Sequence, residues 1–470
     1  MKRWKQDEGI ALVWLAITLV LLIGMAGFGI DLGWIYLNTA RAQKTVDSAA
    51  LAGVVNLPGF IAQATIDAED ATVANGFDPD GLVVTPLADN KLHAELSITV
   101  PSFFLKVLGF DHFDITREAT AEYIKPVPLG NPNNCFGCPS VGDSWAAISA
   151  PFIHKEHGDP YSTQCRVPAT NSSCSTGNSD FNRGGAYSGY YYGIEVFGTS
   201  TTLSVDLYDP TFNRRPQDQG TGDFSIGNGT GPTTNYELHM VDNTPLDPTD
   251  NPLVGGCSAS FAPDTGANQD QWVNLCTING SLTPGIYVLH VTTTGVGIAS
   301  NHYSVRANVG SGPQQPRVYG INDMSIWSND LVQNSQLYIA EIDDIHAGKK
   351  LELQFYDPGD ADQNSFMTLL SPNGPVNCSW TVWNHNLTAQ TQAAHSNQPC
   401  TWQTTDENKN PDHRVYNEQW IVAVIDLPDD PADMCNGSDC FWKMELDLSL
   451  PTERTTWRAR VIGNPVRLIP

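Results

Sequence analysis

The chain has 470 residues, with 51 acidic against 25 basic side chains and a formal net charge of −26. Such a balance repels phosphate backbones and anionic lipid heads, so nucleic acid is excluded as a partner. Only 16% of residues are charged, while Gly (40) and Pro (31) are plentiful. The chain therefore reads as mainly β and loop-rich, and it is too long for one core.

Residues 1–8 carry Lys2, Arg3 and Lys5 ahead of Gly9–Ile30, which holds no charge. About 20 apolar residues suffice for a helix to cross a bilayer. The sequence thus predicts a transmembrane helix over 9–31, with the basic tail cytoplasmic and the bulk of the chain extracytoplasmic. The span exceeds the roughly 7–15 residues of a signal-peptide core, and no clean A-x-A site follows, so a retained anchor is favoured. Trp14 stands fifth after Gly9, where a prepilin-peptidase site has Glu. Gly29 and Gly33 permit close helix packing. Asp31 falls at interface depth and is expected as a solvated helix flank.

Residues 32–125 read as a small α+β unit beside the membrane. An Ala-rich helix continues over 38–55 and breaks at Pro58-Gly59; a second helix spans 60–75, with Gly76 as its stop. Strands are predicted over 82–84, 93–100 and 113–123, with a short helix over 103–108.

The order of residues here resembles a known family. Glu8-Gly9, the apolar span, Gly29-Ile30-Asp31-Leu32-Gly33, Tyr36, Arg41, Gln43 and Asp47 through Gly53 are similar to the N-terminal domain of TadG-like proteins of the Tad/Flp pilus-assembly machinery. The likeness covers about residues 8–55. It extends toward Lys125 through Asn75-Gly76 and Pro101-Ser102-Phe103-Phe104 to Leu108-Gly109. The resemblance implies a prokaryotic inner-membrane protein, with Gly29, Asp31 and Gly33 as assembly contacts.

A Pro-rich linker is expected over 126–138. Beyond it the chain repeats. Tyr192, Glu195, Tyr208, Asp209 and Arg306 match Tyr338, Glu341, Tyr356, Asp357 and Arg460. The strands Gly285–Leu289 and Gln419–Ala423 are matched likewise. A period this long rules out a solenoid and predicts two tandem β-sandwich domains, 139–312 and 313–470. Glu195 and Glu341 are expected to face outward or to pair with Arg306 and Arg460.

All ten cysteines follow the span: Cys135, Cys138, Cys165, Cys174, Cys257, Cys276, Cys378, Cys400, Cys435 and Cys440. An even number on the oxidising side reads as disulfides between sequence neighbours. Cys135-x-x-Cys138 alone leaves redox or zinc chemistry as alternatives to a structural bridge.

Candidate chemistry is sparse. Asp357, Asp360, Asp362 and Asn364 crowd one loop as a calcium candidate, and Asp360-x-Asp362-x-Asn364 matches the first half of a calcium loop, but Ser365 and Ser371 stand where Gly and Glu belong. The repeated Tyr-Asp-Pro is otherwise a strand-ending turn. Tyr187 and Tyr190–Tyr192 beside Trp145 form either a carbohydrate platform or core. His154 and His157 lack a third ligand. No hydrolase, zinc-protease or phosphate-loop motif occurs, so no catalytic or cofactor-binding residue is assigned. The sequence predicts a non-catalytic, membrane-anchored component of Tad/Flp pilus assembly or surface attachment. Its partners would be the membrane and other assembly proteins or pilus subunits, with a surface glycan or protein as a further ligand. An adhesin with binding sandwiches and a surface hydrolase are the rival readings.

Overall fold

The computed structural model describes residues 7–469 apart from 58–60, 89, 124–126, 139–143, 151–157, 162–188, 214–220, 222, 227–231, 243–250, 264–266, 296–297, 313, 329–334, 360–363, 409–412, 448–452 and 463–465. The chain forms two compact units. One is Met1–Ile124 with Asn464–Pro470, and the other is Lys125–Gly463.

The first unit is built on helix α1, Asp7–Val54, which is unbroken over 48 residues. Nothing in Gly9–Val54 interrupts it, since proline is absent and the stretch is rich in Ala and Leu, both strong helix formers. Its first half is exposed on every side, including Leu12, Val20 and Met25. From Ala42 onward its periodic small residues Ala42, Val46, Ala50 and Val54 are buried. They pack with Ala64, Leu92, Ala94, Leu96, Ala121 and Tyr123. Helix α2, Ile61–Ala74, ends at Gly76, whose φ of 85° takes the left-handed conformation that glycine tolerates. Strands β1 (Leu82–Ala88), β2 (Lys91–Pro101) and β3 (His112–Tyr123) form an antiparallel meander. A fourth strand, Val466–Ile469, pairs with β3 from the far end of the chain. Arg467 bonds the buried Glu122 there, with Nε to Oε2 at 2.8 Å.

The second unit is a two-layer β structure. In the first repeat one layer orders strands Leu253–Phe261, Thr233–His239, Gly285–Thr294, Tyr190–Val196 and Arg317–Ile321. The facing layer holds Trp272–Asn279, Thr202–Tyr208, Ile298–Val309 and Ser144–Ser149. Alternation along Thr202–Tyr208 turns Leu203, Val205 and Leu207 inward. Tyr192 and Tyr303 meet across the layers, their hydroxyls 2.8 Å apart. The second repeat is built alike, with Ser335–Glu341, Phe441–Asp447 and Ser365–Ser371 over Glu453–Ile462, Lys350–Tyr356, Gln419–Asp426 and Asn377–Asn384.

The register refines the repeat. Trp272 lies opposite Tyr208 as Trp420 lies opposite Tyr356, so Gln271-Trp272 is the counterpart of Gln419-Trp420. Gly285–Thr294 instead corresponds to Phe441–Asp447, since these border the Tyr192 and Tyr338 strands.

Residue 312 does not divide two separate bodies. Ser144–Ser149 pairs with Met324–Ser328, Trp145 directly opposite Trp327, and this joins one layer of both repeats into a 12-stranded sheet. The leading segments are also exchanged. Arg317–Ile321 adds to the first repeat's Tyr190–Val196. Gly130 donates its N–H to Ile339 in the second repeat at 3.1 Å, and Glu341 donates to Pro128 at 3.2 Å. The stretch expected as a linker is accordingly interior at Val127, Leu129 and Phe136.

Candidate anchoring and assembly site

The connection between β2 and β3 folds onto α1 near the end of its apolar stretch. Ser102–Asp111 closes as a loop when Ser102 donates its N–H to Asp111 O at 3.0 Å and its hydroxyl to Phe110 O. Inside it Leu105–Leu108 makes a short 3₁₀ turn, ended by Gly109 at φ 92°. The first donors of such a turn lack intrahelical acceptors, and Phe104 supplies no cap. Asp31 of α1 fills that role from elsewhere in the unit. Its carboxylate accepts from Phe103 N at 2.8 Å, Phe104 N at 2.9 Å and Leu105 N at 2.6 Å.

Asp31 is thus not a solvated flank; it is 1% exposed. A carboxylate tolerates burial when backbone donors replace its water, and three do so here. One turn earlier, Gly27 lets the loop approach, since a Cβ there would lie 2.8 Å from Phe104 Cγ. One turn later, the Trp34 and Phe103 rings lie 5.7 Å apart. Sequence reading missed Gly27; only the aromatic pair Phe103-Phe104 hinted at a docking segment. Gly29 and Gly33 sit elsewhere around the helix, and among the described residues nothing lies within 4 Å of a Cβ built on either.

The loop tip is apolar and uncovered. Val107 is 84% exposed and Leu108 72%, beside exposed Phe103, Phe104 and Phe110. Further along, Gln43 Nε2 donates to Asp47 Oδ1 at 2.9 Å and to Glu118 O at 3.1 Å. Gln43, a residue of the TadG-like pattern, therefore ties the helix to β3, while Asp47 of the same pattern holds its side-chain amide.

In the second unit the sequence-nominated residues serve the fold. Asp209 and Asp357 both take φ 51° at matched strand ends. The Asp357 carboxylate accepts from Glu418 N at 2.7 Å and Gly158 N at 3.1 Å, while Asp209 accepts from Thr221 Oγ1 at 2.8 Å. Asp360 and Asp362 lie outside the described residues. Glu341 pairs with Arg317, not Arg460. Arg460 bonds Glu352 at 2.7 Å, and Arg306 bonds Asp206 at 3.2 Å. The cause is register, which sets Arg460 opposite Glu352 and Arg306 opposite Asp206. Tyr190, Tyr191 and Tyr192 are buried, so they are not an open platform, and Trp145 stacks instead on Tyr208 at 5.6 Å. Tyr187, His154 and His157 fall outside the described residues.

Four cysteine couples sit at bridging distance, with Cα–Cα separations of 5.9 Å (Cys135–Cys138), 5.1 Å (Cys257–Cys276), 5.5 Å (Cys378–Cys400) and 4.4 Å (Cys435–Cys440). Cys165 and Cys174 are outside the described residues. Cys257–Cys276 and Cys378–Cys400 each tie one layer of a sandwich to the other.

Residues 9–64 match the family described as "Putative Flp pilus-assembly TadE/G-like". This segment contains α1 from Gly9 on, with Gly27, Gly29, Asp31 and Gly33. No curated protein matches the chain. Among solved structures, tripeptidyl peptidase 2 aligns at 8% identity and a TM-score of 0.19, over 80% of this chain and 36% of that one. The tandem CBM22-1-CBM22-2 domain of Xyn10C from Paenibacillus barcinonensis aligns at 10% identity and a TM-score of 0.14, over 57% of this chain and 81% of that one. At these scores neither likeness bears on fold or function.

Proposed function

We propose that this chain is a membrane-anchored, non-catalytic component of Tad/Flp pilus assembly. The observation that carries the reading is the coincidence of the TadE/G-like match with the long uncovered helix. In this reading α1 crosses the inner membrane once with its N-terminus in the cytoplasm. The apolar tip Phe103–Phe110 then enters the outer leaflet beside it. Asp31 makes that entry tolerable by satisfying backbone donors that lipid could not. The open Gly29/Gly33 face receives a helix of another assembly protein, and the sandwich unit meets a partner outside the membrane. The absence of recognised nucleophile motifs supports a non-catalytic role.

Deletion of the gene in its native host tests this proposal. Loss of surface Flp pili, restored by the intact gene, is expected. Unchanged piliation in the deletion strain would overturn it.

A further inference from the structure

The outward face of the first repeat's sheet carries a group that the assembly reading does not use. Along Thr233–His239 the side chains of Thr234, Tyr236 and Leu238 are buried, so Glu237 and His239 project from the other face. On the neighbouring strand His290 lies opposite Glu237, and Val288 lies opposite His239. One carboxylate oxygen and two imidazole nitrogens thereby come within 4.8 Å of one another.

The state of His239 is fixed by its surroundings. Its Nδ1 is 2.7 Å from the carbonyl oxygen of Asn251. A carbonyl only accepts, so Nδ1 holds the proton and Nε2 presents a lone pair. Asn251 is itself held, its side-chain amide donating to Met240 O at 2.7 Å. Nε2 is buried without a hydrogen-bond partner and lies 3.9 Å from Glu237 Oε2. An imidazole anchored through Nδ1–H to a backbone carbonyl, with Nε2 free, is the arrangement of a metal-ligating histidine. The His290 ring is oriented by stacking on Tyr191, with centroids 4.2 Å apart. Tyr191, Val288, Tyr319 and Ile321 form an apolar cluster on the same face, which limits water on that side.

We propose that Glu237, His239 and His290 bind one divalent first-row transition ion, of which Zn²⁺ fits best. Two imidazole nitrogens and one carboxylate suit zinc, whereas calcium and magnesium call for more oxygen ligands. Three protein ligands leave a fourth position for water or for a donor from a partner.

The test uses the purified full-length chain in detergent. Zn²⁺ binding is measured by competition with a chromogenic chelator, and Co²⁺ is used as a spectroscopic probe. One ion per chain is expected, with ligand-field bands of a four-coordinate N/O site. His239→Gln and His290→Gln should each abolish both signals, and Glu237→Gln should weaken Zn²⁺ at least tenfold. Melting in excess chelator controls for folding. If a histidine variant melts early, Glu237→Gln decides, because its exposed side chain can change without disturbing the core. Absence of Zn²⁺ binding by the wild type would overturn the proposal. So would binding that these variants leave unchanged, which would mean an adventitious ion on other histidines.

Discussion

The Asp31 carboxylate lies 2.6 Å from the Leu105 amide, 74 residues further along the chain. That bond, with those from Phe103 and Phe104, holds an exposed apolar loop against the helix that continues the apolar span. Asp31→Ala leaves three backbone donors without an acceptor. Hydrogen bonds to charged groups contribute about 1.5–3 kcal/mol each, and losses within one cluster are not additive. The variant should lose about 2–4 kcal/mol of first-unit stability. Thermal melts in detergent and faster tryptic cutting at Lys106 would register it. Asp31→Asn keeps one acceptor oxygen and should fall between the two.

Trp145 and Trp327 face one another where the two repeats join, and each repeat's leading segment hydrogen-bonds to the other. Residues 313–463 expressed alone would expose the edge of Met324–Ser328 and lose the partner at Pro128–Gly130. An unpaired, apolar strand edge promotes association. The half-chain should be insoluble or oligomeric by size-exclusion chromatography, while residues 125–463 stay monomeric. A soluble, cooperatively melting half would show that the shared sheet is dispensable.

Much of this architecture was legible in the sequence, for identifiable reasons. Helix α2, its Gly76 stop and the β1–β3 meander follow local periodicity and turn chemistry, and the repeated Tyr-Asp-Pro marked two like sandwiches. What the sequence hid is non-local. Val466–Ile469 joins β3 from the opposite end of the chain, and no local pattern encodes that pairing. Asp31 looked like a solvated flank because its acceptors' partners come from a distant loop. The arginine partners were misassigned because a shared motif fixes sequence spacing and not strand register. Glu237, His239 and His290 became a group only once two strands were aligned.

Acid should destabilise the second unit through His302. Burial pushes this imidazole well below its usual value of 6.5, and the Arg454 guanidinium adds to the effect. Its ring lies 4.5 Å from Trp327, hydrogen-bonds Ser300 and Thr221, and has Nδ1 3.8 Å from the buried Asp223 carboxylate, which opposes but does not overcome the effect of burial. Below about pH 6.5 the unfolded chain binds a proton that the folded chain does not. Stability then falls as pH drops, by about 1.4 kcal/mol per pH unit for one such group. Denaturant melts between pH 7 and 5 should show the slope, and His302→Gln should reduce it.

Cys378 and Cys400 close a stretch with a sequence separation of 22 between the two layers of the second repeat. In the chain-entropy model a loop of this size contributes about 3 kcal/mol. Cys378→Ser with Cys400→Ser should lower the melting temperature of the second unit by several degrees. Non-reducing peptide mapping should recover Cys257–Cys276 and Cys378–Cys400 as linked peptides. Free thiols at these four positions would contradict the pairing.

The central claim is that the uncovered Gly29/Gly33 face of the long helix is an assembly contact, whereas Gly27 is already occupied by Phe104. Site-specific photocrosslinking in the native host tests it most directly. A photoreactive residue at position 33 should yield an adduct with another Tad/Flp protein, and Gly33→Leu should remove surface pili without lowering the chain's melting temperature. The same probe at position 27 should damage the fold and give no such adduct. If position 33 crosslinks only to lipid, and Gly33→Leu cells remain fully piliated, the assembly account is contradicted.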